Sequence, residues 1–86
     1  MKYKLEFLPA ATRQFRKLPP NIQKQLGRVI EELKDTPYPV GCKKLIGVNG
    51  WRIRSGNYRV IYKIQDHILL IVILNLGHRK DIYRSL

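Results

Sequence analysis

The stretch Trp51-Arg52-Ile53-Arg54-Ser55-Gly56-Asn57-Tyr58-Arg59-Val60-Ile61-Tyr62-Lys63-Ile64 reads as a β-hairpin. Two runs rich in β-branched and aromatic residues flank Gly56-Asn57, which suits a two-residue loop. Such a loop sets Ser55 opposite Tyr58, Arg54 opposite Arg59, Ile53 opposite Val60, Arg52 opposite Ile61 and Trp51 opposite Tyr62. Side chains alternate along each strand, so one face collects Trp51, Ile53, Tyr58, Val60, Tyr62 and Ile64, and the other Arg52, Arg54, Arg59 and Lys63 around Ile61. The apolar face needs a covering layer. The cationic face repels itself, because like charges directly opposite are unfavourable in a sheet, and it calls for an anion.

The covering layer lies upstream. Lys2 to Leu8 alternate between charged and apolar residues, as a half-buried strand does. Pro9 then fits the first turn of a helix, with Ala11, Phe15 and Leu18 on one side, and Pro19-Pro20 ends it. Ile22, Leu26, Val29, Ile30 and Leu33 follow at helical spacing, and Thr36-Pro37-Tyr38-Pro39 stops that second helix. From Tyr38 to Gly50 the prolines, glycines and Asn49 predict an irregular connection, with Leu45 and Ile46 tucked under the sheet. Ile68 to Leu76 is apolar on both faces, as befits a strand in the middle of a sheet. The predicted fold is α+β in the order β-α-α-β-β-β: a two-helix hairpin packed on one face of a four-stranded, mostly antiparallel sheet, forming a single domain over residues 1–86.

Composition narrows the function. The 17 Lys and Arg against 6 Asp and Glu give a formal net charge of +11, which in a compact domain points to nucleic acid, bound with counterion release. The carboxylates are too few for full pairing of the arginines, and too scattered for a two-metal nuclease, so neither a metal nor another cofactor is expected. The lone Cys42 has no disulfide partner or zinc-type cluster and reads as a loop or core residue. No apolar run is long enough to span a bilayer and the N-terminus lacks the pattern of a secretion signal, which places the protein in the cytoplasm, away from membranes. Beyond the last strand, Asn75 to Arg84 forms a tail that gathers His78, Arg79, Lys80, Tyr83 and Arg84 where loops at strand ends often carry function.

Two segments, Gly50 to Tyr62 and Gly77-His78-Arg79-Lys80-Asp81-Ile82-Tyr83-Arg84, resemble the RelE branch of the RelE/ParE toxin superfamily, and the likeness extends over the whole chain, including the approach Lys43-Lys44-Leu45. The resemblance implies a toxin of a toxin–antitoxin pair that enters the ribosomal A site and cuts messenger RNA, held inactive in a complex with an acidic, RelB-like antitoxin. By position, Arg52 and Arg54 match the family's basic pair on the second strand, Arg59 its arginine on the third, and Arg79 and Tyr83 the arginine and tyrosine of the tail. The best-known members carry lysines in place of Arg52 and Arg54 and a longer hairpin loop. An arginine stabilises charge but does not give up its proton.

RNA brings its own nucleophile, the 2′-hydroxyl, so a metal-free enzyme must align it with the adjacent phosphate, take its proton and stabilise the extra charge. The product is a 2′,3′-cyclic phosphate. Arg59 and Arg79 are the candidates for charge stabilisation, with Arg52, Arg54, Lys63, Lys43 and Lys44 as RNA-contacting cations. Tyr83 is the candidate base, its phenolate favoured by neighbouring guanidinium groups, and His78 is the alternative acid or base. The competing reading is a ParE-like protein that shares the fold and inhibits DNA gyrase by binding, without catalysis. A third is a basic RNA-binding protein with no activity.

Overall fold

The computed structural model describes residues 2–82. Strand β1 (Lys4–Phe7) leads into helices α1 (Pro9–Arg16) and α2 (Pro20–Leu33), followed by strands β2 (Lys43–Lys44), β3 (Trp51–Ser55), β4 (Tyr58–Gln65) and β5 (Leu70–His78). A short 3₁₀ turn over Asp66–Ile68 connects the last two strands. The sheet order is β1-β5-β4-β3-β2, parallel only between β1 and β5. Both helices begin at a proline, where the missing N–H has no intrahelical partner to lose.

The α+β architecture and the single helical layer match the expected fold, with two corrections. The sheet has five strands rather than four, because Lys43–Lys44 pairs with Arg52 and Trp51 inside the segment read as irregular. A two-residue edge strand has no periodicity to betray it. The last strand also continues past Leu76, so Gly77 and His78 belong to the sheet and not to a tail. Glycine at position 77 weakens the strand signal there. In addition, Ile46 is fully exposed instead of tucked under the sheet.

The hairpin register is the one its loop dictates, from Trp51 opposite Tyr62 to Ser55 opposite Tyr58. Gly56 has φ 59 and Asn57 does not share the positive sign, the pattern of a turn that asks for glycine at its first central position. Ile53, Val60 and Tyr62 join Ile71, Ile73 and Leu76 of β5 and Ala11, Leu26, Ile30 and Leu33 of the helices in one buried cluster. Each fully buried Leu or Ile there contributes on the order of 2 kcal/mol.

The opposite face is not bare. Ile61 is completely buried on it, because the chain before β3 folds back across the strand. A Cβ on Gly50 would stand 3.3 Å from the Tyr62 carbonyl oxygen, 3.6 Å from Leu74 Cδ1 and 3.7 Å from Ile61 Cγ2. Leu74 is an extra residue in β5: Tyr62 faces Ile73, whereas Ile61 faces Asn75. This bulge bends β5 just before its functional end.

At the far end of the sheet from the hairpin turn, the Asp66 carboxylate accepts hydrogen bonds from the hydroxyls of Tyr3, at 2.5 Å, and Tyr38, at 2.7 Å. These bonds tie β1 and the 35–42 segment to the β4–β5 connection. They hold the Asp66 carboxyl below its ordinary value of 3.8 and push the Tyr38 phenol up to about 12. A lowered carboxylate stabilises the fold above its unfolded value and ceases to do so as pH falls through the folded one. A raised phenol contributes below its unfolded value of 10.0 and is lost as pH climbs toward 12. The double change Tyr3→Phe and Tyr38→Phe is therefore expected to lower the melting temperature at neutral pH, with the gap to the unchanged protein closing in both acid and alkali. A gap independent of pH in thermal melts would show that the two rings act by packing alone.

Candidate RNA-contacting face

Alternation along the strands projects Lys43 from β2, Arg52 and Arg54 from β3, and Arg59 and Lys63 from β4 on the side away from the helices. Arg54 lies directly opposite Arg59, and Lys43 opposite Arg52. Lys63 is four residues from Arg59 along β4, roughly 13 Å, so it sits at the margin of the group. Lys44 pairs with Trp51, whose ring belongs to the helix-facing side. It is therefore separated from the other cations. A recess of 260 Å³ beside β3 is lined by Val40, Gly41, Lys43, Arg52, Ile53 and Arg54.

Asp81 apart, no carboxylate among the described residues forms an ion pair with the cations of this face. Setting Asp81 aside, the one ion pair among the described residues is Lys34 with Glu31, at 2.8 Å on α2 and the chain just beyond it. Arg59 folds back so that its Nη1 donates to the carbonyl oxygens of Tyr58 at 3.3 Å and Gly56 at 3.5 Å. The Nε of Arg52 is the single buried side-chain polar atom without a hydrogen-bond partner among the described residues. A buried donor left unmade costs about 1–3 kcal/mol, and an anionic oxygen at this face would satisfy it.

The end of β5 brings one tail residue to this group. The backbone N–H of Arg79 donates to the Asn57 carbonyl oxygen at 2.7 Å, which fastens the exposed Arg79 beside the hairpin turn that carries Arg54 and Arg59. His78 goes elsewhere. It pairs with Tyr58 on the helix side, ring to ring edge-on at 5.5 Å, and its Nδ1 accepts from the Lys80 N–H at 3.1 Å. There it lines a 380 Å³ cleft with Gln14, Lys17, Leu18, Tyr58 and Ile82. Tyr83, the candidate base, lies outside the described residues.

Two positioning residues escaped the sequence reading. Gln14 of α1 donates to Asn75 Oδ1 at 3.1 Å and accepts from the Leu76 N–H at 2.8 Å, filling the ladder next to the bulge. Gln25 of α2 donates to both the carbonyl and the hydroxyl oxygen of Ser55, at 3.0 and 2.8 Å, and holds the hairpin end against the helices. Their signal was present: Gln14 lies three residues after Ala11 and four before Leu18, and Gln25 three after Ile22 and four before Val29. Each is a polar residue on an apolar stripe, which needs a hydrogen-bond partner once buried. Among the described residues no three His, Cys, Asp or Glu side chains gather as metal ligands would, and no helix is long and apolar enough to cross a membrane.

Known proteins resemble this chain in sequence and fold. Residues 5–83 match the model of the ParE toxin of the type II toxin–antitoxin system. Toxin RelG of Mycobacterium tuberculosis is 38% identical over 91 residues, covering 98% of this chain and 99% of its own. The mRNA interferase toxin RelE of Escherichia coli is 28% identical over 83 residues, covering 93% and 86%. Among solved structures, the toxin–antitoxin complex RelBE2 of M. tuberculosis superposes with a TM-score of 0.81 at 30% identity, over 92% of this chain and 100% of that one. With its helical layer, its arginine-bearing hairpin and its matched length, the chain belongs to the ParE toxin family of type II toxin–antitoxin systems and is a RelE-type member of it.

Proposed function

We propose that this toxin is a metal-independent endoribonuclease that cuts messenger RNA in the ribosome and so stops translation. The observation that carries the reading is the convergence of Arg52, Arg54 and Arg59 on one sheet face, with Arg79 fastened beside them by its bond to Asn57. Such preorganised cations suit the pentavalent phosphorane-like charge that builds up when a 2′-hydroxyl attacks its own phosphate. Arg59 and Arg79 stabilise that charge, while Arg52, Arg54, Lys43 and Lys63 hold the RNA strand. Tyr83 takes the 2′-hydroxyl proton. The P–O2′ bond forms as the P–O5′ bond breaks, the 5′-oxygen takes a proton from water, and a 2′,3′-cyclic phosphate remains. The E. coli relative is an mRNA interferase, which supports the reaction class.

The partner is a RelB-like antitoxin, acidic enough to match a +11 chain, bound in a heteromeric complex as in the solved relative. Translating a defined message in vitro, with and without the toxin, and mapping the ends tests both the reaction and its host. New ends bearing a 2′,3′-cyclic phosphate, absent when the toxin is left out, are expected. The name of the matching family model favours one second reading, gyrase inhibition without cleavage. Intact messages together with gyrase trapped on DNA would establish it.

A further inference from the structure

Asp66 has unusual partners for a chain with 17 Lys and Arg against 6 Asp and Glu. Its two carboxylate oxygens accept from the hydroxyls of Tyr3 and Tyr38, and among the described residues neither forms an ion pair with Lys or Arg. Tyr38 belongs to the 37–42 segment, which runs from α2 toward the edge strand β2 without regular secondary structure. Further contacts fasten this strap. The Tyr62 hydroxyl donates to the Pro37 carbonyl oxygen at 3.1 Å, and the Cys42 N–H donates to the Pro39 carbonyl oxygen at 3.1 Å and closes a turn. The Tyr38 ring meets the Trp51 ring edge-on, with centroids 5.1 Å apart, and Lys43 then pairs with Arg52.

Held in this way, the strap stands beside the arginine face. Val40, Gly41 and Lys43 share the lining of the 260 Å³ recess with Arg52, Ile53 and Arg54. Arg52 and Arg54 lie two residues apart on the same face, yet Arg54 is exposed and Arg52 half-buried, its Nε shielded from solvent and without a hydrogen-bond partner. Carbonyl oxygens hold the Arg59 guanidinium, whereas nothing of the kind holds the Nε of Arg52. Its place is set by packing. A long cationic side chain loses rotamer freedom when it grips a ligand, so whatever confines it beforehand strengthens binding.

We propose that Tyr38 and Asp66 are positioning residues: by latching the strap they confine Arg52 in the place where it meets the RNA backbone. The assignment rests on the reading of the arginine face as the RNA-contacting surface. Asp66 stands at the β4–β5 connection, at the far end of the sheet from the hairpin turn, and a carboxylate repels phosphate. Its influence on RNA therefore runs through the strap and not through direct contact.

The test measures the affinity of the toxin alone for a fluorescent single-stranded RNA oligonucleotide, below the melting temperature of every variant. Tyr38→Phe keeps the ring against Trp51, removes only the hydroxyl, and is expected to weaken binding about three- to tenfold. In a protein already carrying Arg52→Gln, the same change is expected to alter affinity by less than about 1.5-fold, because no guanidinium remains to be positioned. In one carrying Arg79→Gln, altered beside the hairpin turn, it is expected to keep its full effect. Asp66→Ala supplies a second variant should Tyr38→Phe fail to fold. Charge alone predicts that losing a carboxylate tightens binding to a polyanion; the latch predicts weaker binding, by about the factor seen for Tyr38→Phe. Unchanged affinity in Tyr38→Phe, equal effects in the Arg52→Gln and Arg79→Gln backgrounds, or tighter binding by Asp66→Ala would overturn the proposal. An Arg52→Gln protein that binds RNA as well as the unchanged toxin would overturn it together with the reading of the arginine face. None of these readouts requires cleavage, so failure of the catalytic reading is scored separately, by the absence of new message ends.

Discussion

Arg59→Ala or Arg79→Ala is expected to slow message cleavage by roughly 10²- to 10³-fold, the loss typical of removing one preorganised group that meets developing charge. The two arginines reach the same place by different routes. Arg59 is carried by β4 opposite Arg54, whereas Arg79 is held by its backbone bond to the hairpin turn. Each change should also reduce the salt slope of RNA binding by about one. Single-turnover cleavage on programmed ribosomes separates the two effects, because saturating toxin restores binding but not the rate. Arg59→Lys restores the charge without the planar fork and should recover only part of the loss. If saturation restores the full rate to Arg59→Ala and Arg79→Ala, the arginines bind substrate and do not stabilise the transition state.

Tyr83→Phe separates proton transfer from affinity. It keeps the ring and leaves every cation in place, so RNA and ribosome affinity should hardly change while cleavage falls by about 10²-fold or more, as when a general acid–base group is removed. The arrangement of His78 sharpens the comparison. Its ring stands against Tyr58 on the helix side of β5, and its Nδ1 is engaged by the Lys80 N–H, so His78→Gln should cost far less than Tyr83→Phe. A rate that survives Tyr83→Phe but collapses in His78→Gln would transfer the proton to the imidazole and require β5 to turn that side chain toward the RNA.

How far the fold and the site could be read in advance depended on periodicity. The hairpin was legible residue by residue because Gly56-Asn57 fixes a register and every second side chain then declares its face. The amphipathic α2 was legible for the same reason at a period of 3.6. What escaped had no period. Lys43–Lys44 is too short to alternate, and the bulge at Leu74 shifts the alternation by one residue and so carries His78 to the helix side, away from the arginines. Consequently the tail was read as one cluster, whereas the structure sends Arg79 toward the hairpin turn and His78 toward the helices. The resemblance to a toxin family was carried by the hairpin and tail motifs, and the same spans lie within the matched family model.

Because β2 pairs only with Trp51 and Arg52, the rest of β3 forms an edge of the sheet, with Arg54 between the ladder partners Ile53 and Ser55 and the Ser55 carbonyl covered by Gln25. Exposed edges of this kind recruit strands from other molecules unless something deters them, and inserted or flanking cations are a common deterrent. Here the deterrent is Arg52 and Arg54, with Lys43 alongside, the same side chains assigned to the RNA. Solubility of the free toxin and attraction to its substrate are thus two uses of one set of charges. Neutralising that set removes both, so sedimentation or light scattering belongs beside every activity measurement on such variants. A partner that shields these charges must itself cap the edge, or the complex inherits the tendency to assemble further.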